Sequence, residues 1–263
     1  MTEAATCRPP RPQAVYFFAT CVVDQFFPGA GLDAIRLLER EGITVHFPEN
    51  QTCCGQPAYT SGFHDEARRV ARAQLELFPE PWPIVVPSGS CAGMMKHHYP
   101  ALFAADPALT AKAVAVSARV YEFTEFLVTV LGITLEDRGG PTKVVLHTSC
   151  SARREMGVHL TGRALLGQLN QVSVAQQEHE AECCGFGGTF SVKHPEISGA
   201  MVQDKVNALR ATGAERVVSA DCGCLMNILG HAAWKDRQEG RTRPSLPGEH
   251  IATFLLKRTG GAQ

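Results

Sequence analysis

No stretch of the 263-residue sequence reaches the roughly 18 consecutive apolar residues of a membrane-spanning helix. Charge is also scarce. Charged residues make up 19% and the formal net charge is −1. That balance lacks the basic patch of a nucleic-acid binder and the high net charge of a disordered chain. No P-loop, kinase signature, Ser-His-Asp order, or flavin or nicotinamide fingerprint is visible. The longest early apolar run, Ala14–Val23, has the length of a signal-peptide core. It follows Pro9, Pro10 and Pro12, however, and runs into Asp24 and Gln25 without a small-x-small cleavage site. The expected location is the cytoplasm, where thiols stay reduced unless they hold a metal or do redox work.

Cysteine, by contrast, is abundant: ten residues, at 7, 21, 53, 54, 91, 150, 183, 184, 222 and 224. Apart from Cys7 they repeat. Cys21 and Cys150 are 129 residues apart, Cys53 and Cys183 130, and Cys91 and Cys222 131. Flanking residues agree, since Thr52-Cys53-Cys54-Gly55-Gln56 answers Glu182-Cys183-Cys184-Gly185-Phe186. The chain therefore reads as two copies of one unit.

The hydrophobic pattern repeats with it. Ala14–Ala19 and Lys143–His147 read as buried strands, with Ile43–Phe47 as a second short strand in the first half and Pro83–Val86 and Arg216–Ser219 as third strands of the two halves. Helical stretches alternate with them at Gly31–Glu41, His64–Leu77, Ala152–Leu169 and Pro195–Thr212. This is an α/β pattern of βαβ units with mainly parallel sheets, in two pseudo-symmetric modules. The expected boundaries are 14–107, a linker over 108–141 with an amphipathic segment at Tyr121–Leu131, and 142–258. The end, Thr259–Gln263, reads as frayed. In parallel sheets ligands bind beyond the carboxyl ends of the strands, and the lone and final cysteines fall at those ends.

Four explanations compete for the thiols. Burial as small hydrophobes accounts for an isolated Cys7 but not for eight thiols in register. Disulfides suit neither a cytoplasmic chain with an adequate core nor adjacent cysteines. Structural zinc usually takes ligands in C-x₂₋₄-C pairs, and the sequence has no C-x-x-C. An iron–sulfur cluster offers several irons to thiolates that diverge from one backbone, so it fits best. Gly55 and Gly185 then suit tight turns that aim backbone amides at the sulfurs. Gly185-Phe186-Gly187-Gly188-Thr189 reads as a loop wrapping such a cluster rather than a nucleotide site. His64, His97, His98 and His147 could be ligands or proton carriers, although lone histidines are more often structural. Arg153 and Arg154 could steer an anionic substrate or simply form a solvated helix face.

The doubled order Cys, about 31 residues, Cys-Cys-Gly, about 35 residues, Cys resembles the CCG-type cysteine-rich domain. That domain occurs in heterodisulfide reductase, in the iron–sulfur subunit of glycolate oxidase and in the lactate utilization protein A family. Gln51–Ala58, Pro87–Met94 and Cys183–Lys193 resemble the last family most closely. The resemblance implies a cytoplasmic subunit of a system oxidising L-lactate to pyruvate, acting with two partner proteins and inactive alone. It also leaves open a cluster-dependent thiol–disulfide reductase of the heterodisulfide type. A zinc-binding or structural module without enzymatic activity is a third possibility.

By resemblance, noncubane [4Fe–4S] clusters would be held by Cys21, Cys53, Cys54 and Cys91 in the first half and by Cys150, Cys183, Cys184, Cys222 and Cys224 in the second. The fullest motif ends in C-x-x-C and supplies five thiols. Here Met94 stands where the first fifth thiol would be, and the second half ends Cys222-Gly223-Cys224. The second site is accordingly expected to be the fuller one.

Overall fold

The computed structural model describes residues 9–261, so Cys7, Ala262 and Gln263 lie outside the described residues. It contains two four-stranded sheets, parallel throughout. The first has the order β2-β1-β3-β4, from Ala14–Phe17 (β1), Thr44–His46 (β2), Ile84–Val86 (β3) and Val120–Glu122 (β4). The second repeats it as β6-β5-β7-β8, from Thr142–His147 (β5), Val172–Ala175 (β6), Arg216–Ser219 (β7) and Gly248–His250 (β8). Central strands of parallel sheets are covered on both faces and read as unbroken apolar runs. Ile84-Val85-Val86 is such a run, fully buried.

Several elements depart from the sequence-based expectation. The segment expected to be a linker carries β4, which pairs along β3 from Val120 to Glu122. Tyr121 is thus in a strand rather than a helix, and Glu122 ends that strand by capping the Phe123–Glu125 turn with its side chain. The single helix expected over Ala152–Leu169 is broken at Gly157, whose φ of 63° separates Cys150–Met156 from Val158–Leu166. The chain end is not frayed through Thr259. That residue is buried, and its hydroxyl and carbonyl accept from Arg40 at 3.0 and 3.1 Å.

The two halves are joined by an exchange of helices. Ile251–Arg258, the last helix of the second half, packs on Pro28–Arg40 of the first. Reciprocally, the Phe123–Leu131 segment of the first half packs on Val158–Leu166 of the second. One hydrophobic core accordingly includes Phe17, Leu38 and Phe126 together with Leu146, Leu165 and Leu255. Among the described residues no helix is long and apolar enough to cross a membrane.

Candidate metal centre

In each half the chain leaves a central strand and turns directly into a helix. Cys21 follows β1 and opens the Cys21–Phe26 helix; Cys150 follows β5 and opens Cys150–Met156, whose N-terminus is capped by Ser149 Oγ accepting from Ala152 N at 3.1 Å. Cys91 lies in the short Gly89–Gly93 helix after β3, and Cys224 in the Cys222–Gln238 helix after β7. The N-terminal turns of four helices thus carry thiols.

These helices also meet in pairs across the two halves. Gly89–Gly93 packs on Cys150–Met156, and Cys222–Gln238 packs on Cys21–Phe26. The consequence is one shared cavity of about 210 Å³, lined by all nine cysteines of the described residues. Two thiol sets that the sequence separates by some 130 residues therefore face a common space.

Within the first set, Cys53 is held low, to about 3, because the Cys21 and Cys54 thiols donate to it. The Gly55 N–H adds a further bond at 3.4 Å. Cys21 is pushed up by the same bond to Cys53, followed by burial, and Cys54 by its bonds to Cys53 and Cys91. The second set repeats the arrangement. Cys183 is depressed to about 2, first by Cys150 and then by Cys184, and the Gly185 N–H reaches it at 3.3 Å. Cys184 Sγ lies 3.2 Å from Cys224 Sγ. Each set is a compact group of sulfurs that shares its protons, and those protons must leave when a metal binds.

The buried second cysteine of each pair is fixed through its carbonyl. Tyr99 Oη donates to Cys54 O at 2.9 Å, and Asn227 Nδ2 donates to Cys184 O at 2.8 Å. Gly55 and Gly185 adopt φ values of 88° and 83°, which fold their amides back onto the sulfur two residues earlier. The glycine-rich loop after Cys184 also turns through positive φ at Gly187 and Gly188, and Gly188 lies against Pro57 of the first half. It walls the cavity and bridges the two halves.

The structural register revises the repeat at its last thiol. Ser88 and Asp221 occupy the same place before their helices, and each stands three residues ahead of a cysteine, Cys91 and Cys224. Cys91 therefore corresponds to Cys224, and Cys222 corresponds to Gly89. Cys222 lines the cavity but packs in a small apolar cluster with Val23 and Ala30 of the first half, apart from the group of Cys150, Cys183, Cys184 and Cys224. The geometry gives two matched quartets and one thiol between them. Met94 is fully buried in the core and does not line the cavity.

Of the four histidines considered, only His147 lies against the thiols. It is fully buried, and burial is the main reason its ring is depressed to about 3. A ring nitrogen of His147 and the sulfurs of Cys184 and Cys224 all lie within 4.8 Å of one another. His97 and His98 instead bond Glu155 at 3.1 and 3.2 Å, and His64 packs edge-on to Tyr59. Arg153 is paired with Glu180 at 3.0 Å rather than turned toward the cavity. Sequence reasoning missed Asp221. Its Oδ1 accepts from Ser88 Oγ at 3.0 Å and from Ser90 N at 3.1 Å, tying the second half to the first at the cavity floor. Only its place directly before Cys222 could have drawn notice.

The soft thiolate donors, the short sulfur–sulfur spacing and the amides turned onto sulfur suit a metal cluster. A family model for the CCG cysteine-rich domain matches twice, over residues 15–96 and 144–229, and the chain belongs to that family. Its relatives narrow the placement. Lactate utilization protein A of Shouchella clausii (strain KSM-K16) is 44% identical, over 92% of this chain and 98% of the relative. The protein of the same name from Bacillus subtilis (strain 168) is 45% identical over 93% and 99%, and Lactate utilization protein A 1 of Bacillus mycoides (strain KBAB4) is 47% identical over 92% and 96%. Among solved structures, a hypothetical protein from Helicobacter pylori superposes with a TM-score of 0.65 at 10% identity, covering 97% of this chain and 51% of that one. That likeness concerns the fold alone.

Proposed function

We propose that the chain is a cytoplasmic iron–sulfur electron-transfer subunit of a system that oxidises L-lactate to pyruvate. The observation that carries this is the pair of thiol quartets opening on one cavity, in a chain whose full-length relatives are named for lactate utilization. Cys21, Cys53, Cys54 and Cys91 would hold one cluster, with the Gly55 amide turned onto it; Cys150, Cys183, Cys184 and Cys224 would hold the other, with Gly185 in the same role. Cys222 stands between them. The clusters, of [4Fe–4S] type and noncubane by resemblance, would supply one-electron acceptor chemistry when bound.

What the chain's own residues do is more specific. The Gly55 and Gly185 amides hold negative charge on the Cys53 and Cys183 sulfurs, and hydrogen bonds to sulfur tune cluster potential. Tyr99 and Asn227 fix the buried cysteines. Taking a hydride or two electrons from a hydroxy acid ordinarily calls for an organic cofactor, and the sequence carries no fingerprint for one. Lactate oxidation is therefore assigned to partner subunits, with this chain relaying electrons.

The test is anaerobic assay with L-lactate and an artificial electron acceptor. The cluster-loaded chain alone should turn over no lactate, and addition of its partner subunits should start turnover and bleach its visible absorption. Lactate turnover by the chain alone would misplace the active site. A second reading, a thiol–disulfide reductase, is favoured by one observation, that both thiol sets face the same space. It would show as reduction of an added disulfide by the dithionite-reduced chain.

A further inference from the structure

One side chain at the second quartet is not explained by the fold. His147 ends β5, three residues before Cys150, and is fully buried. Neither of its ring nitrogens has a hydrogen-bond partner. A neutral imidazole has one N–H to donate and one lone pair to fill, and buried polar groups are almost always matched. The nearby cation does not match it: Lys205 Nζ donates to His179 O at 2.7 Å. What the ring does have within reach is sulfur, since one of its nitrogens lies within 4.8 Å of both Cys184 Sγ and Cys224 Sγ.

The first half shows that the fold does not require a histidine here. The equivalent residue, three before Cys21, is Phe18, which is fully buried in the apolar core. Gly55 and Gly185 stand against Ala67 O and Ser198 O respectively, which aligns the two long helices and places Gln74 where the second half has Lys205. Gln74 is spent on Thr52, to which its Nε2 donates at 2.7 Å. The two quartets therefore match in their thiols and differ in what surrounds them, phenyl and amide in one, imidazole and ammonium in the other.

We propose that His147 is a nitrogen ligand of the metal centre in the second quartet, making that centre a mixed nitrogen–thiolate site beside an all-thiolate first one. The proposal rests on the reading that the quartets hold iron–sulfur centres. Imidazole is a good ligand for iron and zinc and, unlike thiolate, brings no negative charge. His147 would therefore set the second centre apart from the first by a neutral nitrogen donor added to a matching set of thiolates.

The test uses the full chain, loaded and reduced anaerobically, with iron and sulfide measured on the same sample. Pulsed EPR should show a nitrogen coupling of directly bound size. It should change isotope pattern when the protein is grown with ¹⁵N-histidine, and disappear in His147→Phe, which copies Phe18. The labelling arm needs no variant, so a misfolded His147→Phe leaves the proposal testable. An iron- and sulfide-loaded chain whose nitrogen couplings ignore histidine labelling would overturn the ligation. So would a histidine coupling of only hydrogen-bond size, or one that persists in His147→Phe. A chain that takes up no iron or sulfide would overturn the reading beneath it as well.

Discussion

Glycine at 55 and 185 lets an amide turn back onto the sulfur two residues earlier, and the two positions are not equally tolerant. Both have positive φ, a conformation that strains any side chain. A Cβ at Gly185 would also come within 2.7 Å of Ser198 O, whereas at Gly55 the nearest atom, Ala67 O, is 3.3 Å away. Gly185→Ala should therefore cost on the order of 2–3 kcal/mol and Gly55→Ala about 1 kcal/mol. Denaturant midpoints of the two variants check this, and equal losses would count against the geometry. Glu122 offers a second test. Burial raises its carboxyl to about 8, against an ordinary 4.5. The folded state thus keeps a proton that the unfolded chain releases, and stability contributed by Glu122 is present below about pH 4.5 and lost as pH rises through about 8. Glu122→Gln should flatten the decline in stability over that window, by on the order of 5 kcal/mol across it. Urea unfolding at stepped pH would show it; a slope unchanged from the parent would refute the assignment. At this scale most of the candidate site was legible in the sequence, because eight thiols at nearly one offset leave few innocent explanations. Asp221 was not, because a single acidic residue carries no periodic signal.

Each short helix behind the thiols has a partner in the other half, and the contact at Gly89 leaves no room for a side chain. A Cβ there would meet Ala152 Cβ at 2.4 Å and Val158 Cγ2 at 2.8 Å. Gly89→Ala should wedge Gly89–Gly93 away from Cys150–Met156 and cost on the order of 2 kcal/mol or more, read from the thermal midpoint. The equivalent position in the second half holds Cys222, which packs on Val23. Cys222→Ala should cost only about 1 kcal/mol and keep the iron of its half, while Cys224→Ala should lose it. Iron loss in Cys222→Ala equal to that in Cys224→Ala would restore a five-thiol site. That distinction was not available from spacing, since Cys222 and Cys224 differ by two residues and only the caps at Ser88 and Asp221 fix the register. The edge strands β4, β6 and β8 were the other blind spot. Gly248-Glu249-His250 contains no β-branched residue, and its three-residue pairing with β7 is joined by an ion pair of Glu249 with Arg216, which a sequence pattern does not show. The central strands β1, β3, β5 and β7 announced themselves because both faces are buried and their inner positions are mostly apolar.

The whole molecule is held together by reciprocity. Each half lends its last helix to the other and receives one back, and each half supplies one wall of the cavity. Arg258, on the last helix, reaches Asp137 at 2.6 Å and Gly140 O at 2.7 Å, so the closing helix is also pinned to the segment that joins the halves. A thiol set presented by one half alone would lack its facing wall. The two near-copies of one unit therefore form one cavity rather than two. The central claim is that the matched quartets each hold one iron–sulfur centre. The most direct measurement is iron and acid-labile sulfide in protein prepared without exposure to air, for the parent chain, Cys91→Ser and Cys224→Ser. Iron and sulfide should be present in the parent, and each variant should lose about half of both. Stoichiometric zinc without sulfide in the parent, or a variant that keeps its full iron and sulfide, would contradict the account.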